Sequence, residues 1–427
     1  MSSPRLSIDQ APPQSVPLGF YAILPVALVA AGVLLALQGN QLFATQWLPQ
    51  TIAWTHLGTL GLLTAAMFGS LYQMVPVVLG TPVPAIRLAY AVAVTLALGV
   101  AALVAGLMFG AQVLLLTGGG LLAVAFTAFL LPMGLALMRA QGGGPTRTGM
   151  RGALLCLLAV ALVGLRLAWG HATGALPEHR QVWLATHVAL GLIGWVGGLT
   201  MAVSWQVVPM FYLTQPFPQR IARGLALLVP ASVLAATALA LPGMDLMPVL
   251  LAVTPAGIAI WLVQPLLLTK LIRERRRRRS DPSLQFWLLG LACAPLCLVL
   301  AALVWTTDWP LAPLLFGWLA IFGWAGAIVH GMLTRILPFL TWFHRIAQMH
   351  DMTLVPPMKQ LLPDWQARWN LRAHALTLAM GALAIATGLD VLARLTGGLL
   401  VVTGALVAAA IVGTLVRGGR TRVRAAE

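Results

Sequence analysis

The sequence predicts an all-α polytopic membrane protein of twelve transmembrane helices in three pseudo-repeats of four, with the N- and C-termini cytoplasmic. Three observations carry that prediction. Of 427 residues, 60% are hydrophobic and only 8% are charged, against roughly 25% charged in a soluble domain. Apolar runs of about 20 residues, the length that crosses a bilayer as a helix, recur along the whole chain. A spaced pattern of Gly, an amide or guanidinium, and Pro returns three times.

The spans fall at roughly 18–38, 52–80, 86–109, 112–139, 152–170, 183–212, 222–241, 247–269, 284–306, 311–340, 372–391 and 394–416. Span 1 follows MSSPRLSIDQAPPQSVP, which lacks the basic stretch and apolar core of a signal peptide and reads as a cytoplasmic tail. Arg87 separates spans 2 and 3. Arg139, Arg147 and Arg151 separate spans 4 and 5, and Arg220 and Arg223 separate spans 6 and 7. KLIRERRRRRSDP follows span 8 and reads as a cytoplasmic anchor against anionic membrane lipids. Arg345, Lys359, Arg368 and Arg372 lie between spans 10 and 11, and Arg417, Arg420, Arg422 and Arg424 follow span 12. The alternate loops carry almost no basic residues, so the positive-inside rule sets both termini in the cytoplasm, as an even span number requires. The net charge of +16 is therefore a topology signal, and no nucleic-acid partner is expected. Spans 2, 6 and 10 are long enough to tilt or to reach past the lipid.

The ten acidic residues, Asp9, Glu178, Asp245, Glu274, Asp281, Asp308, Asp351, Asp364, Asp390 and Glu427, all fall in loops, tails or span ends. Proton pumps and ion-coupled carriers keep a carboxylate in mid-membrane as relay or ligand, so a pump is disfavoured. Cys156, Cys293 and Cys297 lie in apolar segments and read as small core residues rather than a disulfide framework.

The repeat is clearest in GLLTAAMFGSLYQMVPVVLG (61–80), GWVGGLTMAVSWQVVPMFYL (194–213) and GWAGAIVHGMLTRILPFLTW (323–342). Each copy has Gly first, Gln or Arg at the thirteenth position and Pro at the sixteenth, and each lies in the second span of a block of four. The blocks are 1–143, 144–282 and 283–427, within a single membrane domain. Glycine spacing is explained by helix packing. The polar position is not, because an amide facing lipid is costly. Gln73, Gln206 and Arg335, with Tyr72 beside the first, are expected to face the bundle centre.

Four of the eight histidines gather at the outer side: His56 and His187 near the outer ends of spans 2 and 6, and His171 and His179 in the loop before span 6. His344, His350 and His374 are expected on the cytoplasmic side. At about 100° per residue, His187 shares a face with Gly191, Gly194 and Gly198, a smooth groove that suits a flat macrocycle or a neighbouring helix. His171, His179 and His330 are weaker metal candidates. His330 lies deeper in span 10 and is suited equally to hydrogen bonding within the core. Arg166, Arg180 and Arg394 lie near the outer face, where guanidinium forks bind carboxylates.

The span layout, the three pseudo-repeats and the outer histidines of spans 2 and 6 resemble subunit I of the haem–copper oxidases. THLGTLGLLTAAMFGSLYQMVPVVLG and THVALGLIGWVGGLTMAVSWQVVPMF are more similar still to oxidase-like membrane proteins without oxidase activity, near the nitric-oxide-response protein NnrS. The resemblance covers most of the chain as span layout, with motif support confined to spans 2, 6 and 10. It implies His56 as the span-2 haem ligand and His187 as the counterpart of a copper-holding histidine. With a haem present, Arg166, Arg180 and Arg394 are the natural partners for its propionates. The departures are large: LAPLLFGWLAIFGW in span 10 and ARGLALLVPASVLAATALAL in span 7 contain no histidine. A binuclear oxygen- or nitric-oxide-reducing centre is therefore not expected.

The expected function is that of an integral membrane protein with a haem held by His56 or His187, and with copper a weaker second cofactor. It would serve electron transfer, gas sensing or nitrosative-stress response in a bacterial cytoplasmic (inner) membrane, working with a redox partner protein. The alternatives are a small-solute transporter using Gln73, Gln206 and Arg335, and a structural or assembly partner of a membrane redox complex. Haem type, electron partner and oligomeric state are not legible in the sequence.

Overall fold

In lipid every backbone N–H and C=O must be satisfied within the chain, so apolar runs of this length fold as helices. The computed structural model describes residues 10–240, 245–276, 280–346 and 356–426, with side chains as far as Gly419. Asp9, Arg277 to Arg279, His350, Asp351 and Glu427 lie outside them, as do the side chains of Arg420, Arg422 and Arg424. No strand occurs among the described residues.

Among the described residues, eleven helices are long and apolar enough to cross a membrane. They are α1 Ser15–Phe43, α2 Pro49–Leu79, α3 Leu88–Phe109, α4 Gln112–Arg139, α5 Gly144–Thr173, α6 Arg180–Tyr212, α7 Gln219–Ala240, α8 Leu246–Arg273, α9 Pro282–Thr306, α10 Ala312–Ile346 and α12 Asp390–Gly419. The helix between the last two, α11, spans Asp364–Thr387. It starts eight residues before the expected span at 372 and ends against Gly388, whose φ of +66° closes it in the left-handed conformation. Its first half carries Gln366, Arg368, Asn370, Arg372 and His374, which dilute the apolar signal below that of the other eleven.

Four helices widen locally into π turns: Leu57–Thr64 in α2, Ala189–Gly197 in α6, Ala259–Val263 in α8 and Leu319–Gly326 in α10. Such turns are rare and occur often at functional sites. Pro76, Pro209 and Pro338 lie inside α2, α6 and α10, each downstream of the widened stretch.

The chain forms two compact units. The first contains residues 67–278 and 294–302, and so holds the second half of α2 and all of α3 to α8. Its core is aromatic: Phe68 stacks on Phe129 at 3.6 Å, with Tyr72 edge-on to Phe129 at 5.5 Å and Trp195 edge-on to Phe68 at 6.0 Å. Small residues let its helices approach closely; a Cβ on Gly194 of α6 would lie 2.7 Å from Cys156 Cβ and Sγ of α5. The second unit contains residues 13–66, 279–293 and 303–427. Its α1 and α12 meet at Gly32 and Gly397, where a Cβ on either would lie 2.6 Å from the other's carbonyl oxygen. At one end of that seam Arg394 donates to Ala36 O at 2.8 Å, Leu37 O at 2.9 Å and Asp390 Oδ2 at 2.6 Å, while Asp390 Oδ1 accepts from Asn40 N–H. These contacts satisfy two carbonyls that the end of α1 would otherwise leave open.

Candidate functional site

The most concentrated polar chemistry of the second unit lies between α10 and α11. His330 and His374 are 4% and 1% exposed. Their Nδ1 atoms face each other at 3.3 Å. His330 Nε2 meets Asn370 Oδ1 at 2.9 Å, and His374 Nε2 meets Phe322 O at 3.1 Å. Asn370 Nδ2 donates to Gln366 O at 3.0 Å, which orients the amide so that its oxygen faces His330. The i, i+4 spacing of Gln366, Asn370 and His374 puts the three on one helix face, so a single turn-by-turn stripe of α11 supplies the network.

Aromatic rings enclose the pair. Phe322 stacks on the His374 ring at 4.1 Å and 19°. Phe286 lies 4.6 Å from His330 and edge-on to His374 at 5.4 Å. The stack continues from Phe322 to Trp318 at 4.9 Å and from Trp318 to Trp54 at 5.7 Å. Both indoles are fixed through N–H bonds, Trp318 to Leu378 O and Trp54 to Ala31 O, each at 2.9 Å. The column begins two residues before His56 and ends at the buried pair.

His374, expected on the cytoplasmic side, is buried within α11, because a polar stripe on one helix face is stable wherever partners cover it. In the sequence the signal was an Asn-x-x-x-His pair at helical spacing next to an apolar run, with nothing to reveal the partner 44 residues away. His330, a weaker metal candidate, has both ring nitrogens in hydrogen bonds within the core.

The remaining expected site residues are scattered. His56, half-buried at the end of the first turns of α2, has Nδ1 2.8 Å from Ile52 O. Donation to that carbonyl makes Nε2 the basic nitrogen. His187 belongs to the other unit, against Gly164 of α5: a Cβ there would lie 3.0 Å from its Cε1. The glycine groove along its helix face is not open. Gly194 meets Cys156, and Gly191 and Gly198 lie against Val160 and Ala153, so α5 fills the place that a macrocycle would take. His171 is half-buried in the last turn of α5, while His179 is exposed at the start of α6 with φ +54°, and Arg180 is exposed beside it. Arg166 donates to Ala175 O at 3.1 Å and so secures the chain that leaves α5. Arg394 has the structural task at the α1–α12 seam already described.

The polar set of the three repeats divides as well. Arg335 is in the second unit and pairs with Asp281 Oδ2 at 3.4 Å. Gln73, Tyr72 and Gln206 are in the first. Gln73 is 8% exposed, and neither of its amide atoms has a hydrogen-bond partner among the described residues. Gln206 is only half-buried. The amide that organises this part of α6 is Gln264 of α8, which donates to Ser204 Oγ at 2.8 Å and accepts from Trp205 Nε1 at 3.2 Å. Sequence reasoning missed it, because Gln264 lies outside the repeat whose aligned position marked Gln73. Among the described residues no three His, Cys, Asp or Glu side chains cluster as a metal centre. No protein-family model matches the chain, and no curated protein matches it either.

Proposed function

We propose that the chain is an integral membrane protein that binds haem through His56 and serves electron transfer, gas sensing or nitrosative-stress response rather than oxygen reduction. The observation that carries the reading is the anchored ring of His56: Nδ1 bonded to Ile52 O at 2.8 Å is the arrangement by which metal-binding imidazoles that ligate through Nε2 are oriented. It lies at the mouth of a π-widened stretch and two residues from the aromatic column. A haem bound there would supply a one-electron iron centre able to take diatomic gases. His187 does not fit the flat-groove role, since α5 packs against its glycines. Arg166 and Arg394 are already bonded to backbone carbonyls. The oxidase-like three-repeat architecture is supported by the aligned glycines Gly61, Gly194 and Gly323, each of which falls inside a π-widened stretch. The expected setting is the bacterial inner membrane with both termini cytoplasmic. The test is the visible spectrum of the purified protein. A Soret band lost in His56→Ala and kept in His187→Ala supports the reading; no Soret band in protein expressed with haem supplied refutes it.

A second reading, a pathway or site for a small polar solute in the first unit, is favoured by one observation. Gln73 is buried with its donor and acceptor both unpartnered among the described residues, and a buried amide in lipid surroundings calls for a partner. Solute uptake into proteoliposomes that is abolished by Gln73→Leu supports this reading.

A further inference from the structure

The His330–His374 cluster does not balance as a set of neutral groups. Four links run in line: Phe322 O to His374 Nε2, His374 Nδ1 to His330 Nδ1, His330 Nε2 to Asn370 Oδ1, and Asn370 Nδ2 to Gln366 O. Both ends of the line are backbone carbonyls, which only accept, and each link needs one proton. A neutral imidazole brings one N–H. A carboxamide donates only from its nitrogen, so Asn370 serves one of its two links as donor. Three side chains therefore supply three protons for four links. With His374 donating to Phe322 O and His330 donating to Asn370 Oδ1, the two Nδ1 atoms meet at 3.3 Å as bare lone pairs. Turning the amide or exchanging tautomers moves the deficit along the line without removing it.

We propose that the His330–His374 pair binds one proton beyond those of two neutral rings, as an imidazolium–imidazole pair in the interior of the second unit. Burial among apolar side chains opposes a charge there, and aromatic faces, which attract positive charge, offset part of that cost: Phe322 stacks on one ring at 4.1 Å and Phe286 lies 4.6 Å from the other. The outer nitrogens both point at oxygen acceptors, which strengthen as donors' partners when the rings are charged. A metal ion fits the gap less well. Two nitrogens on opposite sides of a zinc-like ion at about 2.0 Å each would stand about 4 Å apart, against the 3.3 Å found. A bent arrangement needs further donors, and no third His, Cys, Asp or Glu completes such a group among the described residues.

Among the described residues no other titratable side chain lines the small apolar cavity beside the pair, whose wall is completed by Leu24, Leu28, Leu62, Leu333 and Val407. On the helices packed around it, Asp281 pairs with Arg335 and Asp390 with Arg394. Arg417 donates to Leu361 O and Gln366 Oε1, and Arg368 and Arg372 are exposed. Asp364 is in the first turn of α11, Cys293 packs on Gly323, and His344 bonds Leu340 O. His56 bonds Ile52 O, and Tyr21 lies in α1 outside the cavity wall. Among the described residues the proton thus has no counter-charge in contact, and its loss turns the central link into a repulsive contact between α10 and α11. Ionisable groups inside membrane bundles mark relays and switches; proton occupancy here is coupled to the packing of those two helices.

The test is histidine ring nitrogen NMR on the full-length purified protein, with the two residues assigned through His330→Gln and His374→Gln. Near pH ~7, where an unperturbed histidine is mostly neutral, the pair should show one doubly protonated ring or one proton shared between the Nδ1 atoms. Asn370→Leu removes a link and lets neutral His330 donate through Nδ1, so the extra-proton signal should vanish. His374→Phe should leave His330 as an ordinary neutral ring. Two neutral rings in the wild type at every pH where the protein stays folded would overturn the proposal, as would an extra-proton signal that persists in a folded Asn370→Leu protein. The wild-type spectrum decides the matter even where a variant does not fold.

Discussion

Replacing Gln264 with Leu removes the amide that joins α8 to α6 at nearly constant side-chain volume. The site is 5% exposed, and the change deletes two hydrogen bonds, to Ser204 Oγ at 2.8 Å and from Trp205 Nε1 at 3.2 Å. Ser204 keeps its own donation to Met201 O at 2.7 Å, so its hydroxyl is not stranded. The Trp205 indole N–H loses its acceptor, Gln264 Oε1. Interhelical hydrogen bonds in membrane proteins average about 0.6 kcal/mol, so two give about 1 kcal/mol. An indole N–H deprived of its bond adds about 1 kcal/mol, the lower end for a buried donor. Leucine's apolar burial offsets a fraction of this, which leaves a net loss of about 1–2 kcal/mol. Equilibrium unfolding in mixed micelles or by steric trapping measures it. Ser204→Ala alone should cost about 0.6 kcal/mol, and the double variant should cost less than the sum, because the bond can be lost only once. Trp205→Phe placed on Gln264→Leu should recover part of the loss. Strict additivity, or a Gln264→Leu protein within about 0.3 kcal/mol of wild type, would refute the assignment of Gln264 as the anchor.

Gly194→Val should destabilise the first unit by about 1–3 kcal/mol through overpacking, since its Cβ would stand 2.7 Å from Cys156; Cys156→Ala should rescue part of it in the same unfolding assay. Arg394→Met should open the α1–α12 seam, read as faster hydrogen exchange at the amides following Leu37, because two end carbonyls and Asp390 lose their donor. Trp318→Phe keeps the stack on Phe322 but loses the bond to Leu378 O, so a cost of about 1 kcal/mol is expected, smaller than that of Trp318→Ala. His56→Ala should remove or shift the haem absorbance if His56 ligates iron, and the spectrum of the His187→Ala protein should match the wild type.

The helices were legible because each apolar run had the length that a bilayer demands and almost no charge. α4 was read at 112–139 and spans Gln112–Arg139. α11 starts eight residues earlier than its apolar run for the opposite reason: its first two turns, with Gln366, Arg368 and Asn370, read from the sequence as loop. The glycines below His187 show why a pattern can be right and its meaning open. A row of glycines states that something approaches closely; whether that is a macrocycle or α5 depends on what the rest of the chain delivers there. The repeat marked Gln73 and not Gln264, yet Gln264 finds Ser204 and Trp205 while Gln73 finds no partner among the described residues.

Composition and periodicity alone determined that this is a helical membrane protein, because backbone satisfaction in lipid depends only on local hydrogen bonds within each run. Which polar residues have partners was decided by tertiary structure. His330 and His374 are 44 positions apart, and no local rule brings two such rings within 3.3 Å. The burial of one stripe of α11 against α10 does so, and with it sets the proton count on which the chemistry of the second unit turns.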